Sequence, residues 1–203
     1  MPIGLKGNSD GSGAIQIGGS DAISISTGLN TTFAGTVTAS GGVMYPLTSG
    51  TAIASTSGTA LDFTGIPSWA KRITVMFNGV STNGSSNILI QLGDSGGIET
   101  TGYLSYFGFV QSTSNINASS SSTGFGLWHG GSSDIHYIPI VLHLVSGNTW
   151  IQSHAGAFWN GASTHMQSGS GNKTLSDTLD RVRITTVNGT DTFDAGSINI
   201  LFE

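Results

Sequence analysis

Ile135-His136-Tyr137-Ile138-Pro139-Ile140-Val141-Leu142-His143-Leu144-Val145-Ser146-Gly147-Asn148-Thr149-Trp150-Ile151-Gln152-Ser153-His154-Ala155-Gly156-Ala157 is the stretch that decides the fold class. Side chains along a strand alternate between its two faces. Ile138, Ile140, Leu142 and Leu144 therefore share one face, and Tyr137, Val141 and Val145 share the other with His143. Apolar groups on both faces predict a strand buried on both sides and central in its sheet. Val145-Ser146-Gly147-Asn148-Thr149 reads as a hairpin loop, and a second strand follows from Thr149 to Ala157.

The same period of two continues on either side. Arg72 to Val80 places Ile73, Val75 and Phe77 on one face, with Asn78-Gly79 either a bulge inside the strand or its end. Shorter strands are expected at Ala52 to Ala54 and at Ala60 to Phe63. Further ones run Asn87 to Leu92, Tyr103 to Gln111, Phe125 to His129, Arg181 to Val187 and Ser197 to Phe202. Gly65 to Ala70 is a turn or a single helical turn, because Pro67 cannot donate into a ladder. No segment holds a 3.6 period over three turns; Ser176 to Leu179 offers one short helical turn at most. The expected fold is all-β, an antiparallel sandwich of jelly-roll type whose strand order the sequence leaves open.

Upstream the texture changes. Residues 1–42 hold short alternating segments, Ala14 to Ile17, Ala22 to Ser26 and Thr36 to Thr38, separated by glycine-rich turns. Two isoleucines contribute about 1.5–3 kcal/mol each on burial. Ordering some ten residues costs roughly 1–2 kcal/mol each. Such segments need partners, and three copies wound around an axis would supply them. The expected division is an extended N-terminal stem or docking arm, 1–42, followed by a sandwich head, 43–203, in a trimer.

Composition narrows the function classes. Charged residues make up 8% of the chain and hydrophobic residues 37%, with 31 glycines. The low charge argues against disorder and against a helical surface. Six Lys and Arg against eleven Asp and Glu give a net charge of −5, too little positive charge to neutralise a row of phosphates. No apolar run approaches the roughly 20 residues of a membrane helix. Met1 to Gly11 has no apolar core, so no signal peptide is expected. The absence of cysteine suits assembly in a reducing cytoplasm, or stability gained by subunit association.

Phe63-Thr64-Gly65-Ile66-Pro67-Ser68-Trp69-Ala70-Lys71-Arg72-Ile73-Thr74-Val75 is similar to a segment that recurs in tail-fibre-like proteins of phages and prophages. The terminal stretch Leu179 to Glu203 resembles the C-terminal end of the same group, and the short repeats of residues 14–38 resemble its glycine-rich shafts. The matching parts cover about half of the chain and carry no catalytic motif. The resemblance implies a trimeric β-rich head on a particle-bound stem, with a role in attachment to the host surface. Residues 111–175 carry no such likeness and are where a host-specific surface is expected.

Candidate sites follow from residue chemistry. Gly126-Leu127-Trp128-His129-Gly130-Gly131 and Phe158-Trp159-Asn160-Gly161 set tryptophan beside hydrogen-bonding groups. Trp128, His129, Trp159 and Asn160 are accordingly the candidate glycan-binding residues, with packing at the sandwich end or a subunit interface as the competing role. Trp69 and Trp150 are assigned to packing. His129, His136, His143, His154 and His165 form no H-x-H or H-x-x-x-H pair, and are expected to be hydrogen-bonded strand or loop residues rather than metal ligands. Asp94-Ser95-Gly96-Gly97 and Asp191-Thr192-Phe193-Asp194 offer too few oxygens for calcium and read as Asx-turns. Asn30, Asn117, Asn172 and Asn188 begin glycosylation-type triplets, as chance allows in a chain rich in Asn, Ser and Thr.

The scattered carboxylates and the lack of a G-x-S-x-G elbow speak against an enzyme. The expected protein is a homotrimeric fibre or receptor-binding head in the virion. It would use no cofactor and bind neither nucleic acid nor membrane, and its partners would be itself, other virion proteins and host glycans. The alternatives are a capsid-attached fibre or decoration protein without a receptor role, a carbohydrate-active enzyme, and a monomeric carbohydrate-binding module.

Overall fold

A computed structural model describes residues 3–10, 12–17, 20–25, 31–33, 38–39, 42–43, 45–111 and 115–203. Among them every regular element is a β-strand, and the strand pairings are antiparallel. Among the described residues no helix is long and apolar enough to cross a membrane. Contacts divide the chain into Met1–Pro46 and Leu47–Glu203.

In the first unit β1 (Ile3–Gly7), β2 (Gly13–Ile17), β3 (Ser20–Ile25) and β4 (Thr31–Phe33) pair in that order, and β5 (Thr38–Ala39) pairs with β6 (Gly42–Val43). The β1–β2 turn is closed by Asn8 N donating to the Ser12 carbonyl at 2.9 Å and by Ser12 N donating to Asp10 Oδ1 at 2.9 Å. Ala14 is buried. Ser26, Asn30, Thr36 and Val37 of the expected segments lie outside the described residues.

The second unit runs β7 (Thr48–Ser49), β8 (Ile53–Ala54), β9 (Ala60–Thr64), β10 (Arg72–Thr82), β11 (Ile88–Asp94), β12 (Gly97–Ile98), β13 (Tyr103–Gln111), β14 (Ile116–Ser121), β15 (Phe125–Leu127), β16 (Ile135–Ser146), β17 (Thr149–Trp159), β18 (Thr164–Thr174), β19 (Arg181–Thr186) and β20 (Phe193–Phe202). One sheet has the order β14-β13-β18-β17-β16-β10-β20-β7, with β8 also on β20. The other has the order β12-β11-β19-β9, with β15 on β11. This is a sandwich-like pair of unequal sheets, nine strands and five, which exceeds the eight of a jelly roll.

The core lies between the sheets. Ile73, Val75 and Phe77 of β10, Ile138, Ile140 and Leu142 of β16, and Ile198 and Ile200 of β20 meet Leu61, Phe63, Ile90, Leu92, Val182 and Ile184. Each such side chain contributes about 1.5–3 kcal/mol when fully buried. Asn78-Gly79 proves to be a bulge inside β10: the register shifts between Asn78 and Val80, and Gly79 takes φ 70°. Pro139, which has no N–H, sits within β16. The ladder to β17 passes from Tyr137↔Ala157 directly to Ile140↔His154, while Met76 stays opposite Pro139 on β10.

Three expectations need correction. β16 is flanked by β17 and β10, but it is covered on one side only: Tyr137 and Val145 are each 58% exposed. Ser176 to Leu179 forms no helical turn: Ser176 and Asp177 are a bend and the chain then runs on without regular structure. The carboxylates capture its backbone: Ser176 N donates to Glu99 Oε1 at 2.7 Å and Asp177 N to Asp94 Oδ2 at 2.9 Å. β14 and β18 were not anticipated, because neither alternates apolar with polar residues. The inward positions of β18 are His165, Gln167, Gly169, Gly171 and Lys173. A Cβ at Gly169 would stand 2.5 Å from His154 Cε1 and 2.7 Å from Phe107 Cβ, so the neighbouring side chains fill the space that an apolar residue would take.

Candidate functional site

One end of the large sheet opens into a cleft of about 260 Å³. β13 brings Phe109 and Gln111, β17 brings Phe158 followed by Asn160, β18 brings His165, and the segment after β15 brings Trp128 and Asp134. The floor is aromatic. The Phe109 and Trp128 centroids are 4.7 Å apart at 56°, and Phe158 lies stacked on His165 at 4.4 Å and 6°. The rim is built from amides and hydroxyls, Gln111, Asn115, Ser133 and Asn160. Asn160 Oδ1 accepts Ala162 N at 3.0 Å and Ser163 N at 2.7 Å, which fixes the turn and leaves its NH₂ as the group it can offer. Asp134 is the sole Asp or Glu lining the cleft among the described residues, and its Oδ2 accepts Gly130 N at 2.7 Å.

Beneath the floor runs a directed hydrogen-bond chain. Gln167 Oε1 accepts Trp128 N at 3.1 Å, which turns the Gln167 NH₂ toward His136 Nδ1 at 2.9 Å. The His136 proton is then on Nε2, which donates to His129 Nδ1 at 2.9 Å. His129 donates onward from Nε2 to Thr82 Oγ1 at 2.9 Å. Both histidines are buried and neutral in this arrangement. Burial, aided by the nearby His129 and His154, holds His136 down at about 3. Burial lowers His129 too, against the upward pull of the Asp134 carboxylate. Nearby, Gln152 Nε2 lies 2.7 Å from His154 Nδ1, and burial lowers His154 to about 4. Gln152 Oε1 and His154 Nε2 are buried with no partner.

The ligand atoms of His129, Asp134 and His136 lie within 4.8 Å of one another and are of a type that can hold a cation. The hydrogen bonds oppose that use. A metal on His136 Nε2 would move the proton to Nδ1, reverse the Gln167 amide and leave Trp128 N facing an NH₂ group. The arrangement therefore reads as a positioning chain for Trp128.

Of the four residues picked out by sequence, Trp128 and Asn160 meet in the cleft. His129 lies beneath it at 1% exposure, with both ring nitrogens engaged. Trp159 is 44% exposed on the opposite face of β17 from Phe158, because adjacent residues of a strand point to opposite sides. Phe109, Gln111, Phe158 and His165 were not foreseen as site residues, although strand parity alone sends Phe158 inward where Trp159 goes out. Trp150 is buried in the core, and Trp69 packs on Phe202 at 5.7 Å. His143 is exposed on β16, and His165 Nδ1 donates to the Ser163 carbonyl at 3.2 Å. Asp94 forms the expected Asx-turn, accepting Gly96 N at 2.8 Å. Asp191 instead binds Ser86 N at 3.0 Å and Asn188 Nδ2 at 2.6 Å, tying two loops together. A larger groove of about 580 Å³ lies against β19 and the Thr59–Ala60 segment, but it has no aromatic floor, and its Arg183 is held by Asp62 through two 2.7 Å bonds.

No protein-family model, curated protein or solved structure matches the chain.

Proposed function

We propose that this chain is a homotrimeric component of a bacteriophage particle, a tail fibre or receptor-binding head that attaches to host surface glycans. Its stem or docking segment would be the N-terminal region. The observation that carries the binding half of this reading is the end cleft, with Trp128 and Phe109 as an apolar platform and neutral amides around it. A sugar ring presents apolar C–H faces to such a platform and hydroxyls to such a rim. The virion half is supported by the likeness of residues 63–75 and 179–203 to phage fibre proteins, and by a β-rich body without cysteine. Hydrolysis of a glycosidic bond ordinarily uses two carboxyl groups flanking it. Asp134 alone lines the cleft among the described residues, which favours binding over cleavage.

The test is biolayer interferometry of the full chain on immobilised host surface polysaccharide. Wild type is expected to bind, and Trp128→Ala, which loses the Phe109 packing but keeps a cooperative thermal melt, to bind roughly tenfold more weakly. Equal binding by both would remove the cleft from the reading. Release of reducing ends would favour an enzyme. Immunogold labelling of particles on the capsid, away from the tail, would favour a decoration protein.

A further inference from the structure

The nine-stranded sheet carries its polar and apolar residues in an unusual order over β13, β18, β17 and β16. The inward face of β17 and β18 holds Gln152, His154, His165, Gln167 and Lys173, all buried. The outward face holds exposed apolar groups, among them Tyr106 at 63% and Met166 at 61%. Lys173 is the one Asp, Glu, Lys or Arg in these four strands and β14, and it points inward. The outward face is thus free of fixed charge in a chain of net charge −5.

The registers give this face a pattern. One row reads Tyr106–Ser170–Ser153–Val141. Another reads Val110–Met166–Ala157–Tyr137, and Ile116 of β14 extends it. Large side chains stand on the flanks, and the central rows of β17 and β18 carry small ones, Ala155 opposite Ser168 and Ser153 opposite Ser170, with Trp159 and Met166 toward one end and Ile151 toward the other.

We infer that this face is the surface on which three copies of the chain meet. The inference rests on the homotrimeric reading above and specifies its contact. Four strands at about 4.8 Å spacing make a face about 19 Å wide, and ten or so residues at about 3.3 Å make it about 33 Å long. That is roughly 600 Å² in projection, which each chain would share between its two neighbours, against the about 800 Å² of accessible surface that each partner gives to one stable interface. Three such faces closing a triangular prism stand about 5.5 Å from its axis, close to half of the roughly 10 Å at which sheets pack. Side chains from three copies converge along the midline, where small residues fit. Two faces packed in a pair would instead set small midlines against each other and leave a slot. A face without charge can also meet itself without like-charge repulsion.

The experiment is sedimentation equilibrium of the full chain, of Ser168→Lys and, as a control, of Ser95→Lys on the exposed β11–β12 turn. Three chains of 20.7 kDa give about 62 kDa. Wild type and Ser95→Lys are expected at that mass, and Ser168→Lys at the mass of one folded chain, because three lysines would crowd the axis. Peroxide oxidation of wild-type Met166 gives a readout that needs no mutation. Its rate is expected to be on the order of tenfold slower than that of free methionine. A trimer in which Ser168→Lys still assembles, or in which Met166 oxidises freely, overturns the assignment of this face and leaves the trimeric reading standing. A wild-type monomer or dimer overturns both.

Discussion

Acid should weaken this fold well above the pH at which carboxylates titrate. In the folded chain, burial puts His136 at about 3 and His154 at about 4, against an ordinary value of 6.5. A depressed histidine binds its proton in the unfolded chain first. Stability is therefore complete above about pH 6.5 and is lost as pH falls toward the folded values, levelling off below them. Each such histidine contributes a slope of about 1.4 kcal/mol per pH unit inside that window. Two of them over the two units from pH 6.5 to 4.5 give roughly 5 kcal/mol, a large share of the about 5–15 kcal/mol that stabilises a typical domain. Asp94, held low first by the Ser176 hydroxyl, and Asp191, held low first by Asn188, add their loss only below the ordinary carboxylate range. The assay is urea unfolding at fixed protein concentration between pH 7.5 and 4.5. His136→Asn should remove about 1.4 kcal/mol per pH unit from the slope, whatever it does to the midpoint at neutral pH. A free energy that stays flat from pH 6.5 to 5 would refute the account of these histidines as buried and neutral.

Three further substitutions probe the packing of the head. Gly169→Ala would set a methyl 2.5 Å from His154 Cε1 and 2.7 Å from Phe107 Cβ, so a loss of about 1–3 kcal/mol is expected in urea unfolding. Lys173→Met removes the buried partner of Glu99 and the cation 5.4 Å from the centre of the Tyr103 ring. Glu99 keeps the Ser176 backbone N–H as a donor, so about 2 kcal/mol should be lost in thermal unfolding at neutral pH. Arg183→Ala breaks a cross-strand pair with Asp62 that is over a third exposed on both sides, and a change below about 1 kcal/mol is expected by the same measurement.

The parts of the fold that announced themselves in the sequence are those where apolar alternation and burial coincide. Ile73, Val75 and Phe77, or Ile138, Ile140 and Leu142, could be assigned to one face from spacing alone, and that face is the core. β18 escaped because its buried side is made of amide, imidazole, ammonium and glycine. The period of two is present there, but the property that alternates is not hydrophobicity. The site was half legible for a related reason. Trp128 and Asn160 stood out by composition, while Phe109 and His165 are distant in sequence and meet only through the β13–β18 pairing. The spacing of His129 and His136 gives no cue either, since what joins them is the strand start at Ile135 and the approach of Gln167 from β18.

The large sheet also shows why one reading of amphipathicity does not serve a whole strand set. Over β10, β16 and β20 the inward side is apolar and faces the smaller sheet. Over β17 and β18 the inward side is largely polar and joined by hydrogen bonds through Gln167 and through Gln152 to His154, with Gln152 Oε1 and His154 Nε2 left over, and the apolar groups stand outside. A wide sheet opposite a narrow one has strands left over, and their inner side must be filled with something other than a second sheet's side chains. Long polar residues reach across that space, as Gln167 does to Trp128 and His136. Their outer side is then free to carry the apolar surface that a partner subunit would bury. On this view the polar interior and the apolar exterior are one arrangement. A substitution that made the inside of β18 apolar, such as Gln167→Leu, should loosen the end cleft without touching the outward face, and should change glycan binding while leaving the sedimenting mass as it is.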